Sequence, residues 1–276
     1  MAECQWPEMG SATDITTEPA LLVLLHASPF RARAGGTENH VIDRVTHLKL
    51  KRVVLVYPSD PQHVTAALIV NGDLSFVTYH TYKLQSSLTW YAFANPEAED
   101  VVLWIARFFN ATAVAIEHLY RWPLSLPRVL KNAGLPYTYA THDFFAVCPN
   151  LNLVNASTLK LCGTHYGGTD ESEACLGKHF NSFQTQPPCE LKNVVARHQT
   201  VFAEILRDAA ALFFPSESAR TRVLENVRVS AEKSHVIPHG YDAPPCSPHT
   251  ADPAVLRVAM MGMLACLLYT SPSPRD

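Results

Sequence analysis

From residue 20 onward, short apolar runs alternate with longer stretches of helical spacing. Residues 21–26 (LLVLLH) have the unbroken apolar character of a strand buried on both faces. A Gly-Gly turn follows, then residues 37–50, where Val41, Val45 and Leu48 recur on one helical face. Residues 52–57 (RVVLVY) predict the second strand, and 66–82 alternate around Asn71-Gly72-Asp73, predicting a third strand or a hairpin. The same rhythm gives a helix over 96–109, a strand over 113–117, a helix over 127–132 closing at Gly134, and a strand over 137–141. After an irregular stretch it resumes with a helix over 191–208, a strand over 211–214, a helix over 217–227 and a strand over 235–238. Such alternation predicts an α/β fold with a doubly wound, mostly parallel sheet covered on both faces.

In sheets of this kind, ligands bind beyond the carboxyl ends of the strands, where the chain order reverses. That rule singles out Gly35-Gly36, His118, His142-Asp143, Ser216 and His239-Gly240. Residues 143–190, rich in Cys, Gly, Asn and Thr, are too long for an ordinary connection and read as a functional loop or an ordered insertion. Residues 1–19 read as a flexible tail, 20–242 as the sheet domain, and the Pro-rich 243–254 as a linker. Residues 255–265 then read as the first strand of a second domain whose remainder is missing.

With 47 % apolar and 17 % charged residues, the 276-residue chain can bury a sizeable core. Its formal charge of −3 gives no reason to expect nucleic acid as a partner. No export signal or spanning segment is visible, and seven cysteines without one point to reduced thiols in a cytoplasmic protein. Cys148, Cys162, Cys175 and Cys189 would suit a structural zinc site by residue type. Their spacing contains no C-x2-C pair, so free or buried thiols are the default and no metal or cofactor is expected.

Four motifs in order, AGGTENHV, THDFFAVCPNLNLV, FFPSESAR and HVIPHGYD, resemble the N-terminal half of GT-B glycosyltransferases of the family-four group. The resemblance covers about residues 21–262 and implies a Rossmann-like, acceptor-side domain, with the nucleotide-sugar-binding domain absent. The family's Glu-x7-Glu pair belongs to that absent half, so Glu217 and Glu225 match its spacing by coincidence on a solvated helix face. Residues 266–276 (CLLYTSPSPRD) resemble translated read-through of a sequencing-library adapter and are expected to be non-native.

The resemblance implies a retaining transfer of sugar from a nucleotide-sugar donor to a glycan or lipid-linked acceptor, in polysaccharide assembly, with the fragment inactive alone. It implies that Gly35 and Gly36 face the donor diphosphate, where missing side chains let backbone N–H groups approach. His142 would line the cleft near the transferred sugar, with Asp143 orienting it or touching the acceptor itself. Glu38 and His118 are acceptor-side candidates, weighed against being surface polar residues. His239-Gly240 would shape the hinge, the glycine permitting positive φ. Ser216 reads as a helix N-cap, and Arg31 and Arg33 as a solvated pair. Peripheral contact with the inner face of a membrane fits the family. Two other readings remain open: a non-catalytic glycan- or nucleotide-binding module, and a fragment of a GT-B nucleotide-sugar epimerase.

Overall fold

Eight strands make one sheet: β1 (Ala20–Leu24), β2 (Arg52–Asp60), β3 (His63–Val70), β4 (Asp73–Lys83), β5 (Ala111–Ile116), β6 (Tyr137–Ala140), β7 (Ala211–Phe214) and β8 (Ser234–Val236). The structure is a computed structural model describing residues 18–30, 35–48, 50–162, 170–182, 187, 190–225 and 227–240. Arg31, Arg33, Cys189, the expected linker and everything after it lie outside the described residues. Across the sheet the order is β4-β3-β2-β1-β5-β6-β7-β8, with β3 alone running against the other strands and so antiparallel to both its neighbours. The alternating stretch at 66–82 is therefore a hairpin, turned by Asn71 (φ 54°) and Gly72 (φ 71°). Both positions need the left-handed region, and a Cβ on Gly72 would sit 2.9 Å from the Val45 carbonyl.

Connection handedness decides which face each helix covers. From β1 the chain steps one way to β2 through α1 (Gly36–Leu48), and later the other way from β5 to β8. Right-handed crossovers then put α1 on one face and the later helices on the opposite one. On that second face α2 (Pro96–Phe108), α3 (Leu126–Asn132), α5 (Leu191–Asp208) and α6 (Glu217–Leu224) pack over Leu22, Leu24, Ile116, Tyr139 and Phe214. On the first face α1 buries Val41 and Val45 against Val23, Leu25, Val53 and Leu55. Helices thus cover both faces as expected, though among the described residues none lies on α1's face over β6–β8.

Much of the insertion at 143–190 lies among the described residues. It contains α4 (Asp170–Ser182), whose Leu176 and Phe180 are buried in the main core, Phe180 edge-on to Tyr91 with ring centroids 5.6 Å apart. Fully buried His198 on α5 ties this region down: its Nδ1 lies 2.8 Å from the Tyr91 hydroxyl, and its Nε2 meets the Phe145 carbonyl. The bond to Phe145 anchors the segment just after β6, where the site lies. Cys148 and Cys175 are buried, Cys162 is partly exposed, and all three are free thiols. Among the described residues no three metal-ligating side chains are grouped to hold an ion.

Candidate functional site

The chain order reverses between β1 and β5, so the crevice should open where these strands end. His26 follows β1, Glu117 and His118 follow β5, and His142 and Asp143 follow β6. With the first turn of α1 they form two imidazole–carboxylate groups. Burying so many polar side chains is costly unless each is paired, and most are.

In the first group, His118 Nε2 lies 2.8 Å from Asp143 Oδ2, while its Nδ1 accepts the Tyr120 N–H at 2.9 Å. The ring proton therefore sits on Nε2 and is donated to the carboxylate. Asp143 also accepts the Phe145 N–H at 2.8 Å. Burial favours the neutral acid, but His118 and this N–H outweigh it and hold the Asp143 carboxyl below its usual range. His26 lies against His118, centroids 4.7 Å apart, and faces Glu38 across 3.3 Å. Burial, with the neighbouring His118, lowers the His26 pKa to about 3, so the ring is neutral.

The second group centres on Glu117, which is 1 % exposed. It takes a bond from Arg44 on α1 through one oxygen, and its other oxygen lies 3.0 Å from His142 Nε2. Burial opposes ionisation, but the His142 bond and the Arg44 guanidinium outweigh it, and the carboxyl stays charged with a pKa of about 2. An ionised Glu117 only accepts, so it fixes the His142 proton on Nε2 and leaves Nδ1 with a free lone pair. That Nδ1 is buried with no hydrogen-bond partner among the described residues, and so is Thr141 Oγ1 beside it. His40 and His239 flank the ring, their centroids 5.4 and 5.0 Å from it and 4.4 Å from each other.

Several expectations change on this geometry. Asp143 pairs with His118 rather than orienting His142; Glu117, the last residue of an expected strand, has that role. Glu38 and His118 are not surface residues, being 3 % and 4 % exposed. Gly35 has a local reason: a Cβ there would lie 2.6 Å from Glu38 Oε2, so glycine admits the carboxylate against the start of α1. Gly36 has open space where a Cβ would be. Gly240 also faces open space and has no positive φ, so the backbone freedom expected of it is not used; its neighbour His239 stacks on His40. Ser216 caps α6 as expected, its Oγ accepting the Ala219 N–H at 3.2 Å. Glu217 and Glu225 pair with Arg220 and Arg222 on that helix. Arg44, Glu117, His26 and Thr141 were missed. A lone polar residue ending a buried apolar strand was the available signal for Glu117 and His26.

No family profile and no curated protein matches the chain. Among solved structures, Anabaena Alr3699/HepE in complex with UDP and glucose aligns over 82 % of this chain and 45 % of its own, with 14 % identity and a TM-score of 0.42. The same protein with UDP-glucose gives the same figures. A secreted C11 cysteine protease from Bacteroides thetaiotaomicron aligns over 48 % of each chain, with 11 % identity and a TM-score of 0.30. The chain spans about half the length of these proteins. Alignments this loose carry no functional argument, so the site must speak through its own geometry.

Proposed function

We propose that the chain is the acceptor-side half of a nucleotide-sugar-dependent glycosyltransferase, of the GT-B, family-four kind that its motifs resemble. One observation carries this reading. His142, held by Glu117 and Arg44, keeps a buried, partnerless Nδ1 at the carboxyl edge where ligands of such sheets bind. A fixed imidazole acceptor suits a sugar hydroxyl, which can donate to Nδ1 without disturbing Glu117. Thr141 Oγ1 offers a second contact to the same ligand.

The acceptor hydroxyl attacks the anomeric carbon as the bond from that carbon to the leaving diphosphate breaks. The hydroxyl proton passes to the departing phosphate oxygen, so no protein nucleophile is required. By the family resemblance Gly35 and Gly36 face the leaving diphosphate, and the open space beside Gly36 lets a backbone N–H approach it. His142 binds and orients; Glu117 and Arg44 position it. His118 and Asp143 form the neighbouring polar wall, and His239 stacks on His40 at its edge.

The test is transfer and hydrolysis with a panel of nucleotide sugars, run on the 276-residue chain and on the product of the complete gene. Turnover is expected only from the longer product, with His142→Ala lowering it at least about a hundredfold. Turnover by the 276-residue chain contradicts the half-site reading. Tight nucleotide binding without turnover by either favours a binding module.

A further inference from the structure

His198 on α5 takes no part in the chemistry above, and an imidazole buried at that place needs a reason. Its neighbours are aromatic: Phe202 and Phe145 lie 4.6 and 5.3 Å away between ring centroids, and Tyr91 stacks on it at 5.6 Å. A phenylalanine would pack there with no polar atom to satisfy, whereas an imidazole is tolerated only with both nitrogens paired. Both are paired. The Phe145 carbonyl can only accept, so the ring proton sits on Nε2 and is donated to it. Nδ1 is then an acceptor and takes the Tyr91 hydroxyl proton at 2.8 Å. The ring is thus fixed in one tautomer and aimed at one backbone oxygen.

Phe145 links that oxygen to the crevice in two ways. Its N–H is donated to Asp143 Oδ1 at 2.8 Å, and its ring lies on His118, 5.4 Å between centroids and 25° from parallel. Asp143 and His118 also bond to each other. Both members of the first imidazole–carboxylate group therefore rest on one residue, whose peptide α5 holds from behind. Asp143 is the outward member, 28 % exposed against 4 % for His118, and each of its oxygens keeps a lone pair after these bonds. A small rotation of the Phe145 peptide would swing its N–H off Asp143 and slide its ring across His118. A displacement of about 1 Å can cost a hundredfold in rate, so a directed bond behind this peptide matters to the carboxylate in front of it.

We propose that His198 is a positioning residue for the crevice. Through Phe145 it sets the orientation of Asp143 and His118, and with it the hydroxyl-binding face they offer beside His142. What that face binds rests on the glycosyltransferase reading; the coupling from His198 to Asp143 does not.

Proton–nitrogen correlation spectra of the imidazoles in the 276-residue chain test it, read at the His118 Nε2 proton that Asp143 shields from water. His198→Gln keeps an N–H donor where Nε2 stood. His198→Asn puts its amide near Nδ1, short of Phe145, and His198→Phe keeps a ring with neither polar atom. The His118 proton is expected to persist in His198→Gln and to exchange at least about tenfold faster in the asparagine and phenylalanine variants. If the phenylalanine variant fails to fold, the asparagine variant carries the comparison. A His118 proton unchanged in a folded variant that lacks the donor makes His198 merely structural and overturns the proposal. Equal loss in His198→Gln also overturns it, because the effect then follows packing rather than the donor. Nucleotide-sugar turnover is read separately: if it stands while the His118 proton is unresponsive, only the positioning role fails. If the proton responds as expected and no turnover is found, the positioning role stands and the enzymatic reading fails.

Discussion

Glu117 is the residue on which the site turns, because a buried carboxylate survives only while its partners remain. Glu117→Gln leaves Arg44 without its counter-charge and should cost roughly 3 kcal/mol, read by chemical denaturation. Adding Arg44→Met should recover part of that loss, since both charges then leave together. A glutamine amide can also donate to His142 Nε2, so nitrogen-detected NMR should show the ring proton moving to Nδ1. A second consequence concerns acid. Burial lowers the pKa of His198 and His26 to about 3 in the folded chain, against 6.5 for a solvated imidazole. The unfolded chain therefore takes up protons first as pH falls. Stability should be full above pH 6.5 and should decline toward pH 3 by about 1.4 kcal/mol per unit for each ring. His198→Phe should make that slope shallower by about one ring's share, whatever it does to stability at pH 7.

Among the elements, two helices have well-capped starts. Asn95 Oδ1 accepts the Ala98 N–H at 3.1 Å to start α2, and Ser216 does the same for α6. Ser216→Ala should cost about 1 kcal/mol and lower the melting temperature by about 2–4 °C. Caps and apolar spacing also made these elements legible in the sequence: the helix at 191–208 and the strand at 211–214 fall where the pattern places them. α4 was not legible, because glycine, asparagine and serine dilute its apolar face and its buried side chains meet Tyr91 and the main core. α6 ends at Leu224, short of the expected 227, where the chain closes a turn through the Val227 N–H. The carboxylate–imidazole pairings were hidden for a related reason. Each joins the ends of different strands, as His118 with Asp143 and His142 with Glu117, and adjacency in sequence wrongly paired His142 with Asp143.

At the scale of the whole molecule, strand order accounts for the crevice. Reversal between β1 and β5 gathers His26, Glu117, His118, His142 and Asp143 at one end of the sheet. With the same reversal, no helix among the described residues lies on α1's face toward β8. The opposite end offers a rival: a cavity of about 200 Å³ near the start of β6, lined by Ser125, Arg128, Tyr137 and Glu204, with Arg197 stacked 4.0 Å over Phe93. No helix among the described residues is long and apolar enough to cross a membrane. The most direct measurement is a map of backbone amide shifts in the 276-residue chain as methyl glucoside is added. Movement confined to the ends of β1, β5 and β6, lost in His142→Ala, is the predicted result. Movement centred on Phe93, Arg128 and Arg197 would contradict it.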